Sequence, residues 1–99
     1  MIIRLEDDEG FEVGYAEDHD LLRPLIPGLD DEEYQLMGYV DPYGDTIFTF
    51  AQAAVLADEL ERAKVNARTP ETVTLLDRII ELARQCAQQP HLYLKFLAE

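Results

Sequence analysis

Apolar and polar residues alternate at both ends of this chain and follow a helical period between them. Met1, Ile3 and Leu5 fall on one face of an extended segment over residues 1–5, with Ile2 and Arg4 on the other, the two-residue period of a β-strand. Asp7-Asp8-Glu9-Gly10 is a turn signal. Phe11, Val13 and Tyr15 then alternate with Glu12 and Gly14 as a second strand, so the pair reads as a hairpin with an acidic tip. The spacing through residues 17–33 predicts an irregular stretch. Leu21, Leu22, Leu25 and Ile26 suit a short helical turn closed by Pro27-Gly28, and Asp30-Asp31-Glu32-Glu33 an exposed acidic run or the first turn of a short helix. Tyr34 to Val40 is predicted as a third strand of imperfect alternation, followed by an Asp41-Pro42-Tyr43-Gly44-Asp45 turn. Thr46-Ile47-Phe48 reads as a brief strand or an extended lead into the next helix.

The helical half carries clearer punctuation. Thr49 is the expected N-cap of a helix from Phe50 to about Val65, with Gln52 as its reciprocal partner. Its apolar stripe is Phe50, Ala53, Ala54, Ala57 and Leu60, widened by Val55 and Leu56. Asp58, Glu59, Glu61 and Arg62 mark the opposite side. Thr69 caps a second helix, and Pro70 takes the first helical position, where its missing amide costs nothing. Val73, Leu76, Ile80, Ala83 and Ala87 form its inner stripe, broadened by Leu75 and Ile79, and Pro90 stops it after Gln89. Leu92, Leu94 and Phe96 then alternate with Tyr93, Lys95 and Leu97. Both faces of this last strand carry bulky groups, which suits a central position in a sheet or contact with a partner chain. The order is β-β-(β)-α-α-β. The expected fold is α+β: a small antiparallel or mixed sheet of about three to four strands with two helices packed on one face, forming one domain over residues 1–99.

Charge changes the picture more than composition does. The chain has 99 residues and a net charge of -13, but 47% of its residues are hydrophobic, which argues against disorder. Residues 1–47 hold fourteen acidic and two basic residues, and residues 48–99 hold seven and six. Such a field repels phosphates and attracts basic protein surfaces. Direct nucleic acid binding is therefore not expected, and no glycine-rich phosphate loop is present. Apolar runs are too short for a membrane span, and Met1-Ile2-Ile3-Arg4 lacks the basic and apolar regions of a signal peptide. A single cysteine, Cys86, suits a reducing compartment, so the expected location is cytoplasmic.

Candidate chemistry is sparse. The carboxylates around Asp41 lack the alternation of a calcium loop, and no local zinc signature exists, so no metal or other cofactor is expected. Cys86 lies near the C-terminal end of a helix, the wrong end of the dipole for an activated thiol, and is expected to pack in the core. His19 lies between Asp18 and Asp20, and His91 is distant in sequence. No organised nucleophile, base and orienting group emerges, so no enzymatic activity and no catalytic residues are expected.

Tyr43-Gly44-Asp45-Thr46-Ile47-Phe48, with Gln52, Glu59-Leu60 and the closing Tyr93-Leu94-Lys95-Phe96-Leu97, resembles a pattern found in small uncharacterised bacterial proteins. In size and charge the chain is similar to bacterial immunity proteins that neutralise toxins, a resemblance that implies binding and assigns no residue. The functional expectation is an acidic domain that neutralises or regulates a basic protein partner through Asp7, Asp8, Glu17, Asp18, Asp30, Asp31, Tyr39, Tyr43 and Asp45. Carboxylates would steer encounter and aromatics supply affinity. The alternatives are a structural or accessory domain whose acidity serves solubility, homodimeric through the final strand or the helices, and a nucleic-acid mimic.

Overall fold

The computed structural model describes residues 1–98. The elements are β1 (Ile2–Asp7), β2 (Glu12–Glu17), β3 (Thr46–Thr49), α1 (Phe50–Ala63), α2 (Pro70–Ala87) and β4 (Leu92–Leu97). One sheet has the order β2-β1-β4-β3, and all three neighbouring pairs are antiparallel. Both helices cover one face. The expected α+β architecture is therefore present, with an antiparallel sheet and β4 in a central position. With a neighbour on each side, β4 offers no free edge, so strand addition through it is closed to a second copy.

The helix caps form as the sequence dictates. The Gln52 side-chain oxygen accepts from the Thr49 amide at 2.9 Å, and Thr69 Oγ1 accepts from the Thr72 amide at 3.2 Å. The α-helical part of the first helix ends at Ala63, and Lys64–Asn66 tightens into a 3-10 turn. Lys64 bridges Asp77 on α2 and Glu61 on α1. Those hydrogen bonds, with Asp77 the stronger influence, hold its ammonium pKa above the usual value.

The buried face of α1 differs from the expected stripe. Ala53, Leu56, Ala57, Leu60 and Ala63 are buried, whereas Phe50, Ala54 and Val55 are exposed. On α2 the buried set is centred on Leu75, Leu76, Ile79, Ile80, Leu82, Ala83 and Cys86. Val73 and Ala87 lie at its margins. These residues meet Ile3, Leu5, Ala16, Phe48, Leu92, Leu94 and Phe96 from the sheet in one core, where Phe48 and Phe96 pack edge to face at 5.7 Å. Cys86 is fully buried in that core, and burial pushes its thiol pKa up to about 11.

The segment from Asp18 to Asp45 wraps the helical layer as a strap, and here the expected third strand fails. Tyr34–Val40 is a bend followed by a 3-10 turn, Met37–Tyr39. Its amides do not seek a neighbouring strand because a carboxylate takes them. Glu59, expected on the polar side of α1, is 0% exposed. Leu36 donates its amide to both Glu59 oxygens at 3.0 and 3.1 Å, and Met37 donates to one of them at 3.0 Å. A buried carboxylate persists where such charge-assisted bonds replace its hydration. At the start of the strap, Asp18 organises the reversal after β2. Its carboxylate lies 3.0 Å from the Met1 amino group and accepts from the Asp20 amide at 3.2 Å. His19 and Asp20 both take positive φ, 47° and 63°.

Candidate interaction surface

Which sheet face meets the helices is decided by the smallest residues. A Cβ on Gly14 would lie 2.5 Å from Leu82 Cδ2. Only glycine lets β2 approach α2 this closely, and Ala16, the next inward position, is also small. The larger alternating residues of the hairpin are consequently exposed: Phe11 at 65%, Val13 at 46% and Tyr15 at 42%. Val13 is the additional residue at a bulge, because Leu5 pairs with Gly14 whereas Glu6 pairs with Glu12.

The cross-strand register defines the face that no helix covers. Ile2, Arg4 and Glu6 pair with Glu17, Tyr15 and Glu12 on one side and with Leu97, Lys95 and Tyr93 on the other. Lys95 and Tyr93 in turn pair with Ile47 and Thr49. Directly paired residues share a face, so this surface carries Ile2, Tyr15, Ile47, Tyr93 and Leu97 around a charged centre. Ile47 is 54% exposed. The uncovered face of an antiparallel sheet is ordinarily the polar one. Here it is mixed, with large apolar and aromatic groups at five of the eleven paired positions.

The charged centre is internally balanced. Lys95 Nζ donates to Glu6 at 2.8 Å, and Arg4 Nε lies 3.2 Å from both Glu6 and Glu12. Two cations face two carboxylates, so the middle of the surface contributes almost no net charge. The rim does contribute. At the hairpin tip, Asp7 accepts from the Glu9 and Phe11 amides, each at 2.9 Å, and Gly10 takes φ 87°. These bonds fix the tip and leave the Asp8 and Glu9 carboxylates outside it. A groove of about 500 Å³ runs between the tip and the opposite strands, lined by Asp7, Asp8, Glu9, Gly10, Ile47, Tyr93 and Lys95.

The nine residues expected to contact a partner do not form one patch. Asp7 and Asp8 stand at one end of the sheet. Glu17 and Asp18 stand at the other, about 17 Å away at roughly 3.4 Å per residue. Asp18 is 2% exposed and bonded internally, so it presents no contact surface, a correction forced by the reversal it organises. Tyr39, Tyr43 and Asp45 lie on the turn before β3. There Thr46 Oγ1 donates to the Tyr39 carbonyl and accepts from the Asp41 amide, both at 3.2 Å. Arg23 stacks over Tyr43 at 4.9 Å, and Asp45 accepts from the Ala98 amide at 3.2 Å. Asp30 and Asp31 are exposed on the strap, where Asp31 accepts from the Glu33 amide at 3.0 Å. The open-face residues Ile2, Ile47, Tyr93 and Leu97 were absent from the expected set. For Tyr93 and Leu97 the bulky groups on both faces of β4 are the signal.

Among the described residues, no three His, Cys, Asp or Glu side chains stand together as a metal site. No helix there is long and apolar enough to cross a membrane. No protein-family model matches the chain, and neither a curated protein nor a solved structure matches it.

Proposed function

We propose that this chain is a protein-binding domain that neutralises or regulates a basic partner, and that the open sheet face is its binding surface. The supporting observation is the charge layout of that face, with apolar and aromatic groups around a balanced centre and, at the hairpin end of the rim, the exposed Asp8 and Glu9 carboxylates, which have no ion-pair partner among the described residues. Burying an apolar centre stabilises association, while rim charges set encounter rate and partner choice. Among the described residues, seven of the eight lysines and arginines have partners away from the rim, Lys64 among them on Glu61 and Asp77. Arg4 and Lys95 are held in the centre, Arg23 and Arg62 lie on Tyr43 and Tyr34, and Arg78 and Arg84 pair with Glu81 and Glu61. The remaining negative charge is available to a partner.

Affinity capture from the source cells tests the reading, with the wild-type chain compared against Ile47→Ser/Tyr93→Ser. The expected result is a basic protein retained by the wild type, weakened by salt and lost with the double variant. Equal retention by both chains assigns binding to another surface and rejects the proposal.

A further inference from the structure

The groove at the hairpin end has a chemistry more specific than general acidity. We propose that it receives an arginine side chain of the partner, with Tyr93 and Ile47 against the hydrocarbon stem and guanidinium, and Asp8 and Glu9 as its anionic partners. This rests on the binding role proposed above and names the anchor within the same surface.

Three independent features converge on it. The groove has an apolar side, from Ile47 and Tyr93, and an acidic side, from the hairpin tip. Its one lining cation, Lys95, is already bonded to Glu6 at 2.8 Å, so it does not offset Asp8 and Glu9. Rigidity is the third feature. The Asp7 carboxylate and the Gly10 turn fix the tip, so ordering the loop adds little to the cost of binding.

Arginine fits better than lysine. A planar guanidinium can lie on an aromatic ring and present several donors to carboxylates at once, whereas an ammonium is a strongly hydrated point charge. The chain makes this pairing twice within itself, with Arg23 over Tyr43 at 4.9 Å and Arg62 over Tyr34 at 5.3 Å. Tyr93 carries no such cation among the described residues. A second copy of the chain is a poorer occupant, since its own charge of -13 would set carboxylate against carboxylate.

The probe is a blocked Gly-Arg-Gly tripeptide titrated into the isotope-labelled chain, with blocked Gly-Lys-Gly and Gly-citrulline-Gly alongside. NMR shift changes are expected at Asp8, Glu9, Gly10, Ile47 and Tyr93. They should saturate in the millimolar range, be at least threefold weaker with the lysine peptide and be absent with citrulline. Asp8→Asn/Glu9→Gln should abolish them. Changes spread equally over Asp30–Glu33 and Asp41–Asp45, or unaltered in the double variant, overturn the proposal. Partner capture separates this inference from the broader reading. A partner lost with Ile47→Ser/Tyr93→Ser but held undiminished by Asp8→Asn/Glu9→Gln rejects the arginine anchor and leaves the binding role standing. A partner held equally by all chains rejects the binding role itself. Association of the chain with itself through this face, seen by sedimentation and lost with Ile47→Ser/Tyr93→Ser, also overturns the anchor.

Discussion

The two faces of the sheet solve opposite problems. The inner face is fitted by shape: Gly14 and Ala16 make room for α2, and Leu5, Leu94 and Phe96 fill the remaining space. The outer face is fitted by charge, with Arg4 and Lys95 matched to Glu6 and Glu12 beneath exposed Tyr15 and Ile47. Substitutions on the inner side should therefore act on stability, and those on the outer side on association. The difference teaches that the bulky residues of β2 are not core residues displaced outward. Tyr15 belongs to the open face through its pairing with Arg4, and Val13 is the extra residue of the bulge.

The largest expected effect lies on the helical side. Glu59→Ala leaves the buried Met37 amide and the half-buried Leu36 amide without their acceptor and should cost about 3–5 kcal/mol, read as a lowered urea midpoint. Protection of those two amides from hydrogen exchange should fall with it. A loss below about 1 kcal/mol would mean that water or another acceptor replaces the carboxylate.

Next comes the thiol. Well below pH 9, near pH 7, Cys86 is protonated whether the chain is folded or unfolded. As pH rises from the ordinary value of 9.0 toward the folded value of about 11, the unfolded chain loses its proton first, so stability falls. The loss approaches roughly 2–3 kcal/mol at 1.36 kcal/mol per unit. Urea unfolding at pH 8 and pH 10.5, compared with Cys86→Ala, isolates this contribution. The variant should show a flatter alkaline decline.

Gly14→Ala forces the 2.5 Å approach to Leu82 to open and should cost about 1–3 kcal/mol by overpacking. Coupling it with Leu82→Ala should recover part of the glycine-site penalty, and strict additivity of the pair would place the clash elsewhere. The smallest stability effect belongs to the outer face. Ile47→Ser/Tyr93→Ser should change the unfolding free energy read from urea titration by no more than about 1 kcal/mol, within the ordinary range for surface positions. A larger loss would make these residues part of the fold rather than of a binding surface.

The elements that the sequence made legible are those whose signals are local. Thr49 with Gln52 and Thr69 with Pro70 mark helix starts within four residues, and the alternation of β4 is uninterrupted. Alternation shows which residues of β2 share a face but not which face meets the helices. That choice depends on Leu82, 68 positions after Gly14. Glu59 was misplaced because charge outweighed position. It lies three residues after Leu56 and four before Ala63, on the buried side of the helix, and that spacing was its available signal. The expected strand over Tyr34–Val40 failed for the same reason, since its backbone partner is a side chain from α1. Of the expected contact residues, acidity located the hairpin tip correctly as an exposed feature. It could not separate Asp8, which faces outward, from Asp7 and Asp18, whose carboxylates hold turns.

The most direct test of the outer face as a binding surface is the affinity of the captured basic partner for three chains. These are the wild type, Ile47→Ser/Tyr93→Ser, and Asp30→Asn/Asp31→Asn on the strap. Affinity for the face variant should fall at least tenfold, about 1.4 kcal/mol, with the strap variant within about twofold of wild type. Unchanged affinity for the face variant, with a tenfold loss for the strap variant, would contradict the account.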